Sequence, residues 1–262
     1  MIIKTKKRSL QSDGITIYTS EDSSTYDHRD YLQVSASCCL PESDKHYVLI
    51  PVNEGDVSVL KFMEQFSQNT KKIGFQFKTG PVVEFRNRNH LRHHRSETTI
   101  PLIQACNLST GTVTFGIDTE KAQYFDTEGA NPILKMGNVN TVFIKRFTTK
   151  EESRRLQPAL NLQRNNPDIP SFTSENHVNY LVKQLGDIST CEAYGFFTIL
   201  SSDIWDKYYR ILNGTTQVNV EDLNDLPVPD IETLQRIGRA TMRNTENIPH
   251  YNNGELIRNI IR

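Results

Sequence analysis

The chain has 262 residues, which on the usual scale of roughly 150 per domain makes one large domain or two small ones and is ample for a buried core. Thirty Lys and Arg stand against 31 Asp and Glu, a net charge of -1, so whole-molecule charge singles out neither a nucleic acid nor a membrane as partner. With 36% hydrophobic residues, 23% charged residues and a mean hydropathy of -0.53, the composition is that of a soluble globular protein, and no apolar run approaches the roughly 20 residues that span a bilayer.

Met1-Ile2-Ile3-Lys4-Thr5-Lys6-Lys7-Arg8 lacks a following apolar segment and does not read as a signal peptide, so the expected location is the cytoplasm. Cys38, Cys39, Cys106 and Cys191 fit neither a disulfide framework nor a zinc spacing and read as free thiols. Tyr47 to Val52 is a β-rich run stopped by Asn53-Glu54-Gly55 and predicts a buried strand. Val57, Leu60, Met63 and Phe66 recur at near-helical spacing and predict an amphipathic helix over 56–70. Phe75 to Phe85, broken by Thr79-Gly80-Pro81, predicts a strand or hairpin, and Val139 to Phe147 another strand. Thr148-Thr149-Lys150-Glu151 carries a capping-box signal for a helix through Arg154, Arg155 and Leu156, and Ser189-Thr190-Cys191-Glu192 repeats the signal ahead of a mostly buried helix. Asp203 to Leu212 reads as a helix ended by a left-handed Asn213-Gly214. Leu226-Pro227-Val228-Pro229 is an extended stop, and helical segments follow, interrupted around Pro249 to Gly254. With no internal repeat and a changing apolar period, the pattern predicts an α+β fold, a mixed sheet with packed helices and a C-terminal helical segment.

Charge is segregated along the chain. Residues 71–95 hold seven basic side chains against Glu84 alone, a balance of +6, and 145–164 hold six against two, a balance of +4. Residues 187–232 hold nine acids against Lys207 and Arg210, a balance of -7. If the basic segments converge, a near-neutral molecule presents a positive face. Phe85-Arg86-Asn87-Arg88-Asn89-His90-Leu91-Arg92-His93-His94-Arg95 is the densest candidate, since Arg forks suit phosphate and guanine edges; the alternative is a solvated basic loop. His90, His93 and His94 lie among arginines that repel a cation, which argues against a metal. Asn213 to Asn219 offers short hydrogen-bonding side chains for base edges or phosphates, or an ordinary helix C-cap and turn. No Gly-x-Gly-x-x-Gly, P-loop, Gly-x-Ser-x-Gly or His-Glu-x-x-His is present, so no catalytic residue and no cofactor cradle is assigned.

Several segments, in order, carry a resemblance: Lys78 to Arg86, Pro101-Leu102-Ile103, Lys145-Arg146-Phe147 leading to Lys150 through Leu156, Glu175-Asn176-His177-Val178-Asn179-Tyr180, Gly195 to Ser201, Asp206 to Arg210, Asn213 to Asn219, and Leu226 to Pro229. Over roughly residues 1–230 the chain resembles the C-terminal half of gamma-class adenine-specific DNA methyltransferases of type II restriction-modification systems. The resemblance implies a target-recognition domain over 1–230, a C-terminal helical extension over 231–262, duplex DNA as partner, and a catalytic domain or subunit elsewhere that binds S-adenosylmethionine and carries Asn-Pro-Pro-Tyr. This chain has no Pro-Pro pair, and its first residues look internal to the longer proteins, as in a fragment or half of a split enzyme. The expected phosphate-facing residues are Arg86, Arg88, Arg92, Arg95, Lys145, Arg146, Arg154 and Arg155. Candidates for base edges are His90, His93, Asn213, Thr215, Thr216, Gln217 and Asn219. Glu84, Asn176 and Asn179 lie in matched motifs, where buried hydrogen bonding is an equal explanation. The competing expectations are a metal-dependent nuclease using the 90–95 loop and a protein-interaction subunit that docks a methyltransferase through 187–232.

Overall fold

The computed structural model describes residues 14–18, 31–41, 47–149, 151–243 and 254–261. The chain divides into two compact units between Gln65 and Phe66. In the first, β1 (Gly14–Tyr18) pairs antiparallel with β2 (Tyr31–Ser35), which leads into α1 (Ala36–Cys39) and α2 (Glu54–Met63). Alternate residues Ile15, Ile17, Leu32 and Val34 turn one face of the hairpin onto Cys39 and Val57, a small apolar cluster of its own. Asn53 caps α2 by accepting from Asp56 N, and Glu54 and Asp56 suit the positive end of the helix dipole. The predicted strand at 47–52 forms no strand with the described residues and is tied by Leu49 N to Cys39 O, and α2 stops at Met63 rather than continuing to residue 70.

The second unit contains β3 (Gln68–Asn69), β4 (Phe75–Thr79), β5 (Leu91–Arg92), β6 (Thr99–Ile103), β7 (Tyr124–Asp126), β8 (Met136–Gly137), β9 (Thr141–Lys145), β10 (Pro158–Asn161), β11 (Ser171–Ser174) and β12 (Val178–Lys183). It continues with α3 (Thr190–Leu200), α4 (Asp203–Leu212), α5 (Val220–Asp225), β13 (Pro227–Val228), α6 (Ile231–Arg243) and α7 (Gly254–Ile261). β10-β9-β12-β4 form an antiparallel sheet, β5-β7-β6-β11-β8 a mixed sheet whose β6–β11 pair is parallel, and β13 pairs with β3. Ile103, Leu108, Phe143, Ala159, Phe172 and Val178, drawn from both larger sheets, form a shared core. The architecture is mixed α and β, in agreement with the α+β expectation.

Helix α3 begins where its sequence signal predicts: Ser189 Oγ accepts from Glu192 N at 3.3 Å and Glu192 Oε2 accepts from Ser189 N at 2.8 Å. It is buried along nearly its whole length and packs against β9, β10 and α6, with Phe196 4.9 Å from the Phe75 ring of β4. The approach of α3 and α6 depends on glycine: a Cβ on Gly238 would lie 1.8 Å from Cys191 O, and one on Gly195 2.3 Å from Leu234 O. The boundary expected at residue 230 therefore falls inside the second unit, because α6 shares its interior with α3.

Two local expectations are overturned. No helix runs through Arg154, Arg155 and Leu156; the main-chain N–H groups of Arg155 and Leu156 instead donate to Asp206 Oδ1 of α4, at 2.8 and 2.6 Å. Thr148, expected as a cap, is turned inward, where its hydroxyl meets Thr216 O and the Arg155 guanidinium. After α4, Asn213 is extended (φ -132°), and Gly214 is not among the positive-φ glycines, so the left-handed stop does not form. The predicted helical break near Pro249 lies outside the described residues.

Candidate nucleic-acid interface

Four sequence-distant segments meet at the ends of β9 and β12. Past Lys145, the chain continues as Arg146-Phe147-Thr148 and pairs antiparallel with 216–218: Phe147 bridges Gln217, Val218 N donates to Arg146 O at 2.7 Å, and Thr148 N donates to Thr216 O at 3.1 Å. On the other flank, Arg146 N donates to His177 O at 2.9 Å, and the 174–176 turn is laced to the segment after β4 by Val82 N to Ser174 O and Asn176 N to Val82 O. Gly80 makes that lacing possible, since a Cβ there would lie 2.1 Å from Glu175 O. The edge of one sheet thereby joins the root of the basic turn, the end of β9 and the 213–219 loop.

Arg146 is central to this edge. Its Nη1 donates to Asn176 O at 3.0 Å, and Gln217, with its amide oxygen toward the guanidinium, accepts from Nε at 3.3 Å and Nη2 at 2.9 Å. The guanidinium carbon lies 5.3 Å from the centre of the Phe147 ring, which is 46% exposed and meets His177 edge-on at 5.1 Å. Behind His177, the buried Glu175 places Oε1 2.7 Å from Nδ1, and Oε2 accepts the His177 main-chain N–H at 3.2 Å. Burial pushes the Glu175 carboxyl above its usual range, with the His177 charge opposing.

The 213–219 loop is held from within. Asn213 Oδ1 accepts from Thr215 N and Oγ1 at 2.8 and 2.7 Å, Asn213 Nδ2 donates to Asp222 at 2.6 Å, and Asn219 N donates to the Tyr209 hydroxyl at 3.0 Å. Burial and the nearby Asp222 push that phenol far above its ordinary range, so it stays protonated. Asn213 and Asn219, expected to face bases, thus organise the loop, whereas Thr215 is exposed and Thr216 and Gln217 are half-buried beside Arg146. Asn179 likewise has an interior role: it is fully buried, donates to Val218 O and accepts from Thr79 Oγ1.

The basic segment folds as two short 3-10 turns, Glu84–Arg86 and Arg88–His90, leading into β5. Phe85 is 65% exposed with the Arg86 guanidinium 5.3 Å from its ring, and Arg88, His93, His94 and Arg95 are exposed. His90 differs: its ring stacks on Phe125 at 5.3 Å and its Nδ1 lies 3.0 Å from Asp126 O, so it braces the turn. Arg92 pairs with Asp126 at 2.8 Å, and the Asp126 carboxyl is held below its ordinary value by the Glu128 main-chain N–H first, then by Thr98 and Arg92. Arg95 and Lys135 help line an open cleft of about 810 Å³ over β6 and β7.

The structure separates Arg154 and Arg155 from this surface. Arg155 is 6% exposed, with Nη1 on Thr148 Oγ1 at 2.5 Å, and Arg154 donates to Asp203 Oδ1 at 2.6 Å and Ser202 O at 3.0 Å. Their place on the expected phosphate face is corrected: both are drawn into the seam between the 151–157 turn and α4. Lys145 is half-buried beside the β9 edge. Conversely, Phe147, Glu175 and His177 escaped the reading of candidate residues; the Glu175-Asn176-His177 run was visible among the resembling segments, but its pairing with Arg146 was not. Among the described residues no group of three His, Cys, Asp or Glu side chains is placed to hold a metal ion. Among them, too, no helix is long and apolar enough to cross a membrane.

This fold is shared with part of an enzyme of DNA restriction: the crystal structure of the type IIG restriction endonuclease BpuSI superposes with a TM-score of 0.51 over 75% of this chain and 28% of its own, at 9% identity. No family model matches the chain. In sequence the chain is similar to the type II methyltransferase M.BsuBI of Bacillus subtilis, 28% identical over 248 residues, which is 95% of this chain and 49% of that protein. It is also similar to the type II methyltransferase M.PstI of Providencia stuartii, 32% identical over 169 residues, 63% of this chain and 32% of that protein. The chain thus spans about half the length of the first of these methyltransferases and about a third of the second.

Proposed function

We propose that this chain is the duplex-DNA recognition part of an adenine-specific DNA methyltransferase of a type II restriction-modification system, with a target-recognition-type fold. One observation carries the reading: the 146–148 and 216–218 segments pair into one edge that joins Arg146, Gln217 and the root of the exposed Arg86–Arg95 turn. Cationic forks beside neutral amide and hydroxyl groups are the two kinds of contact a duplex needs, phosphate positioning and base-edge reading. Similarity to type II methyltransferases supports DNA as the substrate of the whole enzyme, and S-adenosylmethionine chemistry is assigned to a separate catalytic domain or subunit. The nuclease reading has no comparable support, because His90 is engaged with Phe125 and Asp126.

The test is duplex binding across a salt series. About six phosphate contacts predict a roughly thousandfold loss of affinity between about 50 and 200 mM salt. Binding that ignores salt, or no binding at low salt either alone or together with a catalytic methyltransferase half, refutes the proposal.

A further inference from the structure

The Glu175–His177 pair has a geometry that fold stability alone does not explain. Glu175 is 2% exposed, and its Oε1 has no hydrogen-bond partner among the described residues, lying 2.7 Å from His177 Nδ1 as an ion-pair contact. Burying a carboxylate is costly unless it is paired, and here the partner is not an interior group but a side chain half exposed at the surface. The carboxylate grips Nδ1 and leaves Nε2 as the outward edge of the ring. A carboxylate behind an imidazole helps to fix the ring's orientation. The ring is further fixed by its edge-on contact with Phe147, and the Arg146 guanidinium bonds to the carbonyl of the residue just before it, Asn176.

Resting on the reading above, we infer that His177, oriented by Glu175, is a backbone-phosphate contact of the bound duplex that acts in its protonated form, with Arg146 beside it as the permanent charge. Glu175 is a positioning residue and does not touch the DNA. The charges around the pair are Glu84 on the adjoining turn, Lys121 on the loop before β7, and Lys145 and Arg146 on the β9 edge; the 213–219 loop contributes neutral Gln217. Lys121 offsets Glu84 beside the pair, and Arg146, bonded to Asn176 O, gives an anion a permanent charge next to the ring. When a phosphate oxygen accepts from Nε2–H of the imidazolium, the complex holds a proton, so binding weakens as pH rises.

The experiment measures affinity of the full chain for a fluorescent duplex, in salt series at about pH 6 and about pH 8. One contact is worth about 0.9 in the log–log salt slope, or roughly eightfold in affinity near 0.1 M salt, so the wild type should bind about that much more weakly at the higher pH. His177→Gln should lose the pH dependence and flatten the slope at low pH by about 0.9, and His177→Lys should restore the slope at both pH values. Glu175→Gln should shrink the difference in salt slope between the two pH values, because the ring is no longer held toward the phosphate; a purely structural role would not change that difference. His177→Gln leaves the buried Glu175 carboxylate without its partner, so its melting temperature should fall; the slopes are read at a temperature at which every variant is folded, which separates that loss from the loss of the contact. A His177→Gln variant with unchanged slope and unchanged pH dependence overturns this inference while the recognition reading stands. A wild-type chain that binds no duplex overturns both.

Discussion

Arg86 and Arg88 allow the cleanest separation of binding from folding. Both are exposed at the turn after β4; Arg86 touches only the exposed Phe85 ring, and no hydrogen bond or ion pair holds Arg88 to the described residues. Replacing both by Ala removes two duplex contacts with little internal to lose, and surface changes of this kind usually stay within about 0.5 kcal/mol of wild-type stability. Two contacts at about 0.9 each lower the log–log salt slope by about 1.8 and cost roughly 60-fold in affinity near 0.1 M salt, about 2.5 kcal/mol. Arg92 provides the internal comparison. Its guanidinium is already matched by Asp126 at 2.8 Å, so Arg92→Ala exchanges a neutralised pair for a lone carboxylate and should weaken binding with a smaller change in slope than Arg88→Ala. Fluorescence anisotropy on a non-cognate duplex reads the slopes, and thermal melting confirms the fold. An unchanged slope in the double variant, with the melting temperature intact, refutes the assignment of this turn to phosphate contact.

Arg146 and Gln217 should behave as one unit: in a cycle of Arg146→Ala, Gln217→Ala and the double variant, binding losses should fall short of additivity by about 0.5–3 kcal/mol, as shared hydrogen bonds require. Gly238→Ala forces a Cβ onto backbone atoms of α3 that cannot rotate away, so urea unfolding should show a loss of at least about 1–3 kcal/mol; wild-type stability would contradict the glycine contact. Glu192 faces desolvation but is held below its ordinary 4.5 by Ser189 N–H, Lys183 and Gln235. Because the folded value is the lower one, its stabilisation is present above the unfolded value and fades as pH falls through the folded one. Glu192→Gln should therefore cost about 1.5–3 kcal/mol near neutrality, with the melting-temperature gap closing in acid.

Elements whose signals are local were legible in the sequence. The Ser189–Glu192 box, the apolar run of α3 and the amphipathic α4 formed where their residues predict. Elements decided by distant partners were not. The same type of capping signal at Thr148 failed because Asp206, about 50 residues beyond them, takes the Arg155 and Leu156 N–H groups, which a helix through these residues would bond to its own carbonyls. Tyr47–Val52 has the residues of a strand but no neighbour to pair with among the described residues. For the candidate site, composition singled out the Arg86–Arg95 turn and the 213–219 loop, but not which side chains turn inward. Asn213, Asn219 and Arg155 have the chemistry of DNA contacts, and the fold spends it on Asp222, Tyr209 and Thr148.

The same logic revises the charge distribution. In sequence, the +6 and +4 runs look equivalent and the -7 run looks like a separate acidic surface. In the fold, the acidic run pairs with one arginine of the second basic run and one of its own: Asp203 with Arg154, and Asp206 with Arg210 at 3.0 Å while capping the turn at Arg155. Among the described residues, the first basic run is ion-paired at Arg92, with Asp126. On the proposed reading, the positive face comes not from two converging runs but from the first run plus Arg146, which lies past the end of β9 and bonds to Asn176 O. Removing Asp203 should accordingly alter stability through Arg154 rather than duplex affinity. An Asp203→Asn variant whose affinity rises with an unchanged melting temperature would return Arg154 to the DNA-facing surface.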